Sequence, residues 1–323
     1  MREVTCHEVD ARRLDEASEG IVGRAVGRWH LMRYDDSAPR RMAEAADELL
    51  DHVAARAAGQ GTALDDVARS ALHTAAECHL GVMSVGCFPD GDQEIPFPLI
   101  GEKLSTEDIS FGDAVAAGGG QAPSARTWLD AFAVSLVSGL VWDWQRVIGL
   151  LLRADYAPAI HEGVPYARLD SVSDPADLAA MDALCLYLTQ AEGHQPRHWP
   201  TVPLRKPDAD ERARAAAVLD AAGTPTPDRR LLRVLLDDEQ QAFEEALAAR
   251  LDIYRESMGP AAEPRTLLPL DALALAALAV QVHGWELGVR SGYLPPDLLG
   301  APDALLRAAE AGGPDNLGPW YAK

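Results

Sequence analysis

Four neighbouring side chains, His73, Glu77, Cys78 and His79, form the first group in the sequence that could do chemistry. On a helix, positions 73 and 77 share a face, so an imidazole and a carboxylate could meet one metal ion. Position 79 points to another face, the HExxH zinc motif is absent, and no further ligand is obvious. A thiol-rich patch of Cys78, His79 and Cys87 around a turn is another arrangement. Ordinary packed or surface residues are the favoured interpretation, and a metal site of His73, Glu77 and His79 is the alternative.

The second group is the run Trp142-Asp143-Trp144-Gln145-Arg146. On a helix, Asp143 and Arg146 would lie three positions apart and could pair across one turn. Trp and Arg are favoured in the hot spots of protein interfaces, so the run could bind a partner or ligand. A structural ion pair that anchors helix packing is the favoured alternative. Trp142, Asp143 and Arg146 are nevertheless the best candidates for polar binding residues.

A third group, His194, Arg197, His198 and Trp199, lies in a Pro-rich stretch that favours a surface turn over a site. His7 and His161 are isolated in the sequence. The chain has no GxSxG elbow, no GxxxxGK[ST] loop and no GxGxxG loop. The residues alone therefore show no complete catalytic motif, and we name no catalytic residue.

Helices must position these residues, because apolar side chains recur at helical spacing along most of the chain. Residues 38–58 and 62–84 each carry such a stripe, and the Gly59–Gly61 break between them predicts a helical hairpin. Residues 86–124 are rich in Gly and Pro and predict a connecting loop, with short strands near Ile95–Ile100.

The later part of the chain predicts a series of further helices. The first should begin at a cap on Ser124 or Thr127 and run through Leu152. Others are predicted at 175–192, 208–222, 228–236, 238–258, 269–286 and from Pro302, with a loop at 193–207. The predicted fold is all-α, an irregular array of antiparallel helices. A helical-repeat arrangement is the alternative, although no fixed period recurs.

The pattern predicts a helical unit at 1–85, the loop at 86–124 and a helical domain at 125–323. One continuous fold is the alternative, since 323 residues suit either one large domain or two packed ones.

The composition predicts an acidic protein with a helical core. Asp and Glu total 50 against 29 Lys and Arg, a formal charge of -21. Such a surface repels phosphate backbones, which argues against nucleic acid, and attracts a basic protein partner. Plain solubility is the alternative reason for the charge. The clustering of Ala, Arg, Asp and Pro suggests an actinobacterial genome.

The N-terminus is charged and lacks the apolar core of a signal peptide, and no window of 18 uncharged apolar residues occurs. No membrane association is expected. The four cysteines form no CxxC pair, and we expect a cytoplasmic protein with reduced thiols.

Three segments resemble the immunity protein 49 family of bacterial polymorphic-toxin systems. The stretch Thr127–Phe132, followed by Asp143 and Arg146, is similar to the TW-containing helix and D-x-x-R segment of that family. Residues 238–254 look like a family helix in which Phe and an EAL-type stretch precede a Tyr. The most specific segment is an apolar helix followed by SGYLPPDLL at 291–299, similar to the S-x-Y-L-P-x-x-L-L ending. The resemblance covers roughly residues 125–300.

The resemblance implies an all-α protein that binds a cognate toxin and blocks its active site, without catalysis or a cofactor. An acidic inhibitor can mimic the phosphates that a basic nuclease groove expects. We expect Tyr293, Leu294 and Pro295 to define the fold, with a partner for the Tyr293 hydroxyl. Two alternatives remain. One is an enzyme of specialised metabolism, metal-dependent through residues 73–79, and the other is a helical scaffold with neither role.

Overall fold

The computed structural model describes residues 2–33, 38–60, 63–87, 93–105, 123–143, 160–161, 173–189, 202–223 and 226–311. Within these ranges the chain forms twelve α-helices, two 3-10 helices and two sheets of two short strands each. The predicted all-α class is confirmed. Every helix in these ranges is too short or too polar to span a bilayer.

The described ranges contain the following helices, given in chain order. They are α1 Ala11–Ser18, α2 Ile21–Met32, α3 Ala38–Gln60, α4 Asp66–Cys87, α5 Ala125–Val137, α6 Pro175–Cys185, α7 Ala209–Ala221, α8 Pro227–Leu236, α9 Gln240–Ser257, α10 Leu270–Gln281, α11 Pro296–Leu299 and α12 Ala304–Ala311. The strands are β1 Arg2–Val4, β2 Glu94–Phe97, β3 Glu102–Ser105 and β4 Val289–Ser291, and the 3-10 helices are Leu140–Trp142 and Pro264–Leu267.

The predicted hairpin of α3 and α4 is confirmed. Arg56 and Asp65 form an ion pair at the closed end. At the open end, a Cβ added to Gly81 would lie 2.9 Å from Sδ of Met42 and 2.9 Å from Cδ1 of Ile95. Glycine at position 81 therefore lets α3 and β2 approach α4 closely.

The helix predicted from Ser124 to Leu152 begins as predicted but ends earlier, at Val137. Ser124 caps α5 as predicted, and its side chain and that of Thr127 form a capping box. The prediction is wrong at residues 138–143, because Gly139 takes a left-handed conformation with φ +78° and a 3-10 turn follows. Apolar periodicity continues through this break, since Leu140 and Val141 are both buried. Residues 144–159, which were predicted to continue the helix, lie outside the described ranges.

Of the short strands predicted near Ile95–Ile100, β2 overlaps that range, whereas residues 98–101 form a turn and β3 follows at Glu102–Ser105. Strands β2 and β3 pair in antiparallel register, with Ile95 opposite Leu104. Helix α4 extends further than predicted, to Cys87. Residues 106–122, with the glycines at 118–120, lie outside the described ranges.

The later helices are confirmed, with shorter bounds except for α8, which begins one residue earlier than predicted, and their caps explain where they begin. The side chain of Asp174 accepts a hydrogen bond from the backbone of α6, and Thr226 does the same for α8. Asp208 and Glu211 form a capping box on α7. Helix α10, LDALALAALAVQ, is buried along almost its whole length and forms the centre of the molecule.

The N-terminal segment closes on the C-terminal part of the chain. Strand β1 pairs in parallel with β4, and Arg2 lies opposite Val289. Helix α3 packs on the second 3-10 helix, where Asp51 binds Arg265 through its backbone and guanidinium groups, both at 2.8 Å. A single hydrophobic core therefore runs from Val4 to Leu298.

Candidate partner-binding site

Trp142 is half-buried and held by a specific hydrogen bond. Its Nε1 donates to Oε1 of Gln281 at 2.8 Å, and Nε2 of Gln281 donates to the carbonyl of Leu299 at 3.0 Å. Gln281 is buried at the end of α10. The indole is therefore held at the end of α10, and Gln281 links it to Leu299, the last residue of α11.

Asp143 is exposed at the end of the 3-10 turn, where its backbone N–H donates to the carbonyl of Leu140 at 2.9 Å. Its backbone, with φ -88° and ψ 81°, is not helical. The helical spacing on which pairing with Arg146 was predicted therefore does not hold at Asp143, and Arg146 lies outside the described ranges. What the structure places here is a fixed indole next to an exposed carboxylate.

The residues of the alternative metal site differ in exposure along α4. His73 is exposed, and its Nε2 lies 2.8 Å from the carbonyl of Ser138, which requires the proton on that nitrogen. Glu77 and Cys78 are buried. Burial lowers the pKa of His79 to about 4, so its ring is neutral at neutral pH. In the described part of the chain, no three His, Cys, Asp or Glu side chains are placed to hold a metal ion.

The residues of the third group, His194 to Trp199, lie outside the described ranges. His161 is described, and its Nε2 lies 2.9 Å from Oδ1 of Asp182 on α6.

The prediction that the Tyr293 hydroxyl finds a partner is confirmed, and the partner is His7. The phenol of Tyr293 is fully buried, and its hydroxyl accepts from the His7 backbone at 2.8 Å and lies 2.7 Å from His7 Nδ1. The other ring nitrogen of His7 lies 2.9 Å from Oγ1 of Thr266. Sequence could not place His7, because its partners lie more than 250 positions away.

A cavity of about 460 Å³ lies next to this contact, between the N-terminal segment and the YLPPD stretch. Its lining is mainly apolar, with Cys6, His7, Arg56 and Asp297 as the charged or titratable groups. Arg56 pairs with Asp65, and Asp297 accepts from the backbone of Leu64 at 3.0 Å. Arg56 and Asp297 already bind other parts of the chain at the cavity wall, which favours a structural role for this region over a ligand site.

A second cluster that sequence did not reveal surrounds His283. Nδ1 of His283 lies 2.6 Å from Asp238, and Nε2 lies 3.0 Å from the hydroxyl of Tyr187. Asp238, at φ 61°, also pairs with Lys206 at 2.7 Å and with Arg212 at 3.1 Å.

Electrostatics and burial decide what the His283 cluster can do. Burial lowers the pKa of His283, and the Asp238 carboxylate opposes that shift. Burial alone would raise the pKa of Asp238, but bonds from Lys206 and His283 hold it below its usual value. The side chain of His283 has no solvent exposure. The arrangement ties the ends of α6 and α10 to the junction of α8 and α9, with His283 enclosed and the Asp238 side chain 21% exposed.

Comparison with known proteins gives one match. A model of the immunity protein 49 family matches residues 59–298, which include α4 to α10. No curated protein and no solved structure matches the chain. The matched range includes Trp142, Asp143, Gln281 and Tyr293, and leaves out β1 and His7.

Proposed function

The chain belongs to the immunity protein 49 family, and on that basis we propose that it binds and neutralises a cognate bacterial toxin. The observation that carries the proposal is the family match over residues 59–298, most of the chain. Neutralisation by binding requires a complementary surface and no chemical step.

Charge supports a basic toxin as the partner. The formal charge of -21 creates a field that speeds encounter with a basic protein and disfavours other acidic ones. The expected mechanism is occlusion, in which carboxylates occupy positions that substrate phosphates would take in a basic toxin groove.

The contact surface proposed from the sequence is centred on Trp142 and Asp143. An aromatic ring that is already fixed loses little conformational freedom on binding, so its contact contributes more of its energy to affinity. The bond to Gln281 fixes the ring of Trp142, and Asp143 presents a carboxylate beside it. Arg146 belongs to the same proposed surface by sequence.

The proposed place of action is the cytoplasm. All four cysteines, Cys6, Cys78, Cys87 and Cys185, are free thiols. Free thiols are typical of a reducing compartment.

The alternative of a metal-dependent enzyme has no observation in its favour among the described residues, where His73, Glu77 and His79 do not converge. One experiment separates the two functions. The tagged protein is used to capture partners from a lysate of its native host, and the eluate is studied by mass spectrometry and metal analysis. We expect an equimolar basic protein encoded near this gene. An equimolar metal ion or small molecule without a protein partner would favour the enzyme instead.

A further inference from the structure

A cavity of about 180 Å³ lies between α5, α6, α8 and α10. All four helices begin at its mouth, where Arg126, Asp177, Asp228 and Asp271 belong to their first turns. Residues three to seven positions later on the same helices line its floor. The cavity therefore runs between the helices, parallel to their axes, and is about one to two helical turns deep, roughly 5–10 Å.

The floor of the cavity is apolar. It includes Phe132, Ala133, Ala180, Leu232 and Ala274, each no more than 4% exposed. The volume is below the roughly 300 Å³ at which pockets for small-molecule ligands begin. It suits one long side chain.

Acidic groups predominate at the mouth around Arg126. Its Nη2 lies 2.8 and 2.9 Å from the two carboxylate oxygens of Asp271, and its Nε lies 2.9 Å from Asp130. The pKa of Asp130 is raised by burial, although the bond and the charge of Arg126 oppose that shift. The single guanidinium of Arg126 contacts two carboxylates, so it cannot balance both negative charges.

The opposite side of the mouth has the same imbalance. Arg229 donates to Asp177 at 2.8 Å and to Asp174 at 3.4 Å, and Arg250 donates to Asp228 at 2.6 Å. Asp130, Asp174 and Arg250 lie outside the lining of the cavity. The lining itself holds three carboxylates, Asp177, Asp228 and Asp271, and two guanidinium groups, Arg126 and Arg229, so one negative charge is in excess.

We propose that this pocket receives one basic side chain, an arginine or lysine, of the partner toxin. The methylene stem would lie on the apolar floor, and the cationic head would lie among Asp177, Asp228 and Asp271. An anionic side chain is disfavoured, because it would be repelled by the excess negative charge. The favourable positions for anions at the helix N-termini are already taken by the first-turn aspartates. The proposal rests on the proposed function, and every lining residue lies within the family match.

The test uses model side chains and does not need the toxin. Alanine methyl groups are labelled with ¹³C, and N-acetyl-arginine amide and N-acetyl-lysine amide are titrated in turn. We expect saturating shifts at Ala133, Ala180 and Ala274, with a Kd in the millimolar range for so small a ligand. N-acetyl-citrulline amide, the neutral analogue of the arginine probe, should bind at least about fivefold more weakly. Unshifted floor methyls, or equal binding of citrulline, would overturn the proposal.

Two variants check that the shifts report the pocket. Asp177→Asn should weaken the arginine probe by about threefold or more, whereas Asp210→Asn, at an exposed first-turn position of α7, should leave it unchanged. Ala180→Leu should fill the cavity and abolish binding without involving any mouth charge. Retained binding in the Ala180→Leu protein would contradict this location.

The pocket and the proposed function can fail separately. A negative titration removes the pocket but leaves toxin binding to another surface. If the protein binds the arginine probe but does not rescue cells from the toxin, the pocket stands, but the side chain that it receives does not come from the toxin.

Discussion

The indole N–H of Trp142 donates to Oε1 of Gln281 at 2.8 Å, and this bond joins the turn after α5 to the end of α10. The same glutamine donates to the carbonyl of Leu299, so three distant parts of the chain meet at one side chain. Trp142 is therefore an anchor of the fold as well as a proposed contact residue. The two roles require separate tests.

Trp142→Phe tests the anchor. Buried Gln281 would lose its donor, and we expect the free energy of unfolding to fall by about 1–3 kcal/mol in urea titrations. Trp29→Phe is the matched control, because Nε1 of Trp29 donates to the exposed carbonyl of Lys103, which water can satisfy. Equal losses in the two variants would show that the bond to Gln281 has no special weight.

Tyr293→Phe tests the attachment of the N-terminal segment. The hydroxyl of Tyr293 contacts both the backbone and the ring of His7, so its removal should cost about 1–3 kcal/mol and speed hydrogen exchange of the His7 amide. Tyr254→Phe removes one bond, to the carbonyl of Thr266, and should leave that amide protected. Unchanged exchange in Tyr293→Phe would contradict this role.

His79 predicts a loss of stability in mild acid. Burial lowers its pKa to about 4 in the folded protein, against 6.5 for the unperturbed ring, and its Nε2 has no partner among the described residues. Between these values the unfolded chain binds a proton that the folded one does not. The free energy of unfolding should therefore fall, by up to roughly 3 kcal/mol, as the pH drops from about 6.5 to 4.

The variant His79→Leu isolates this contribution. It should make the dependence of stability on pH less steep over that interval, because His283, whose pKa burial also lowers, still contributes. His73→Gln, at an exposed position of the same helix, should preserve the wild-type dependence. Urea titrations from pH 4 to 7 measure both. A steep dependence that persists in His79→Leu would mean that other groups cause it.

Asp143→Arg tests the proposed contact surface without disturbing the core. Charge reversal at this exposed position should weaken toxin binding by about tenfold or more, while the Tm stays unchanged. Asp15→Arg changes the net charge equally at an exposed position outside the family match. Similar weakening by both variants, measured by calorimetry, would indicate a general charge effect in place of a specific contact.

Local sequence signals predicted most of the helices but did not predict the break at Gly139. Caps such as Ser124 and Asp208 mark helix starts, because their side chains satisfy backbone donors within three residues. The spacing of apolar residues carries no information about a positive φ. Because Leu140 and Val141 fit the apolar pattern, α5 was predicted to continue through them, whereas in the structure they are buried in a 3-10 turn.

The contacts that close the molecule could not be predicted, because they join residues far apart in the chain. Strands of three residues, such as β1 and β4, have no periodic signal. The same holds for His283, whose partners Asp238 and Tyr187 lie 45 and 96 positions away. The cavity between α5, α6, α8 and α10 depends on how these helices pack, which the spacing of apolar residues along the sequence does not determine.

The central claim is most directly tested by co-expression with the toxin that the proposed function expects to be encoded beside this gene. The toxin is placed under an inducible promoter in a heterologous bacterium, and growth is followed with the wild-type protein, with Asp143→Arg and with an empty vector. The account predicts full rescue by the wild-type protein, an equimolar complex on purification, and reduced rescue by Asp143→Arg at equal expression. A toxin that arrests growth equally with the wild-type protein and the empty vector, and that does not co-purify with it, would contradict the account.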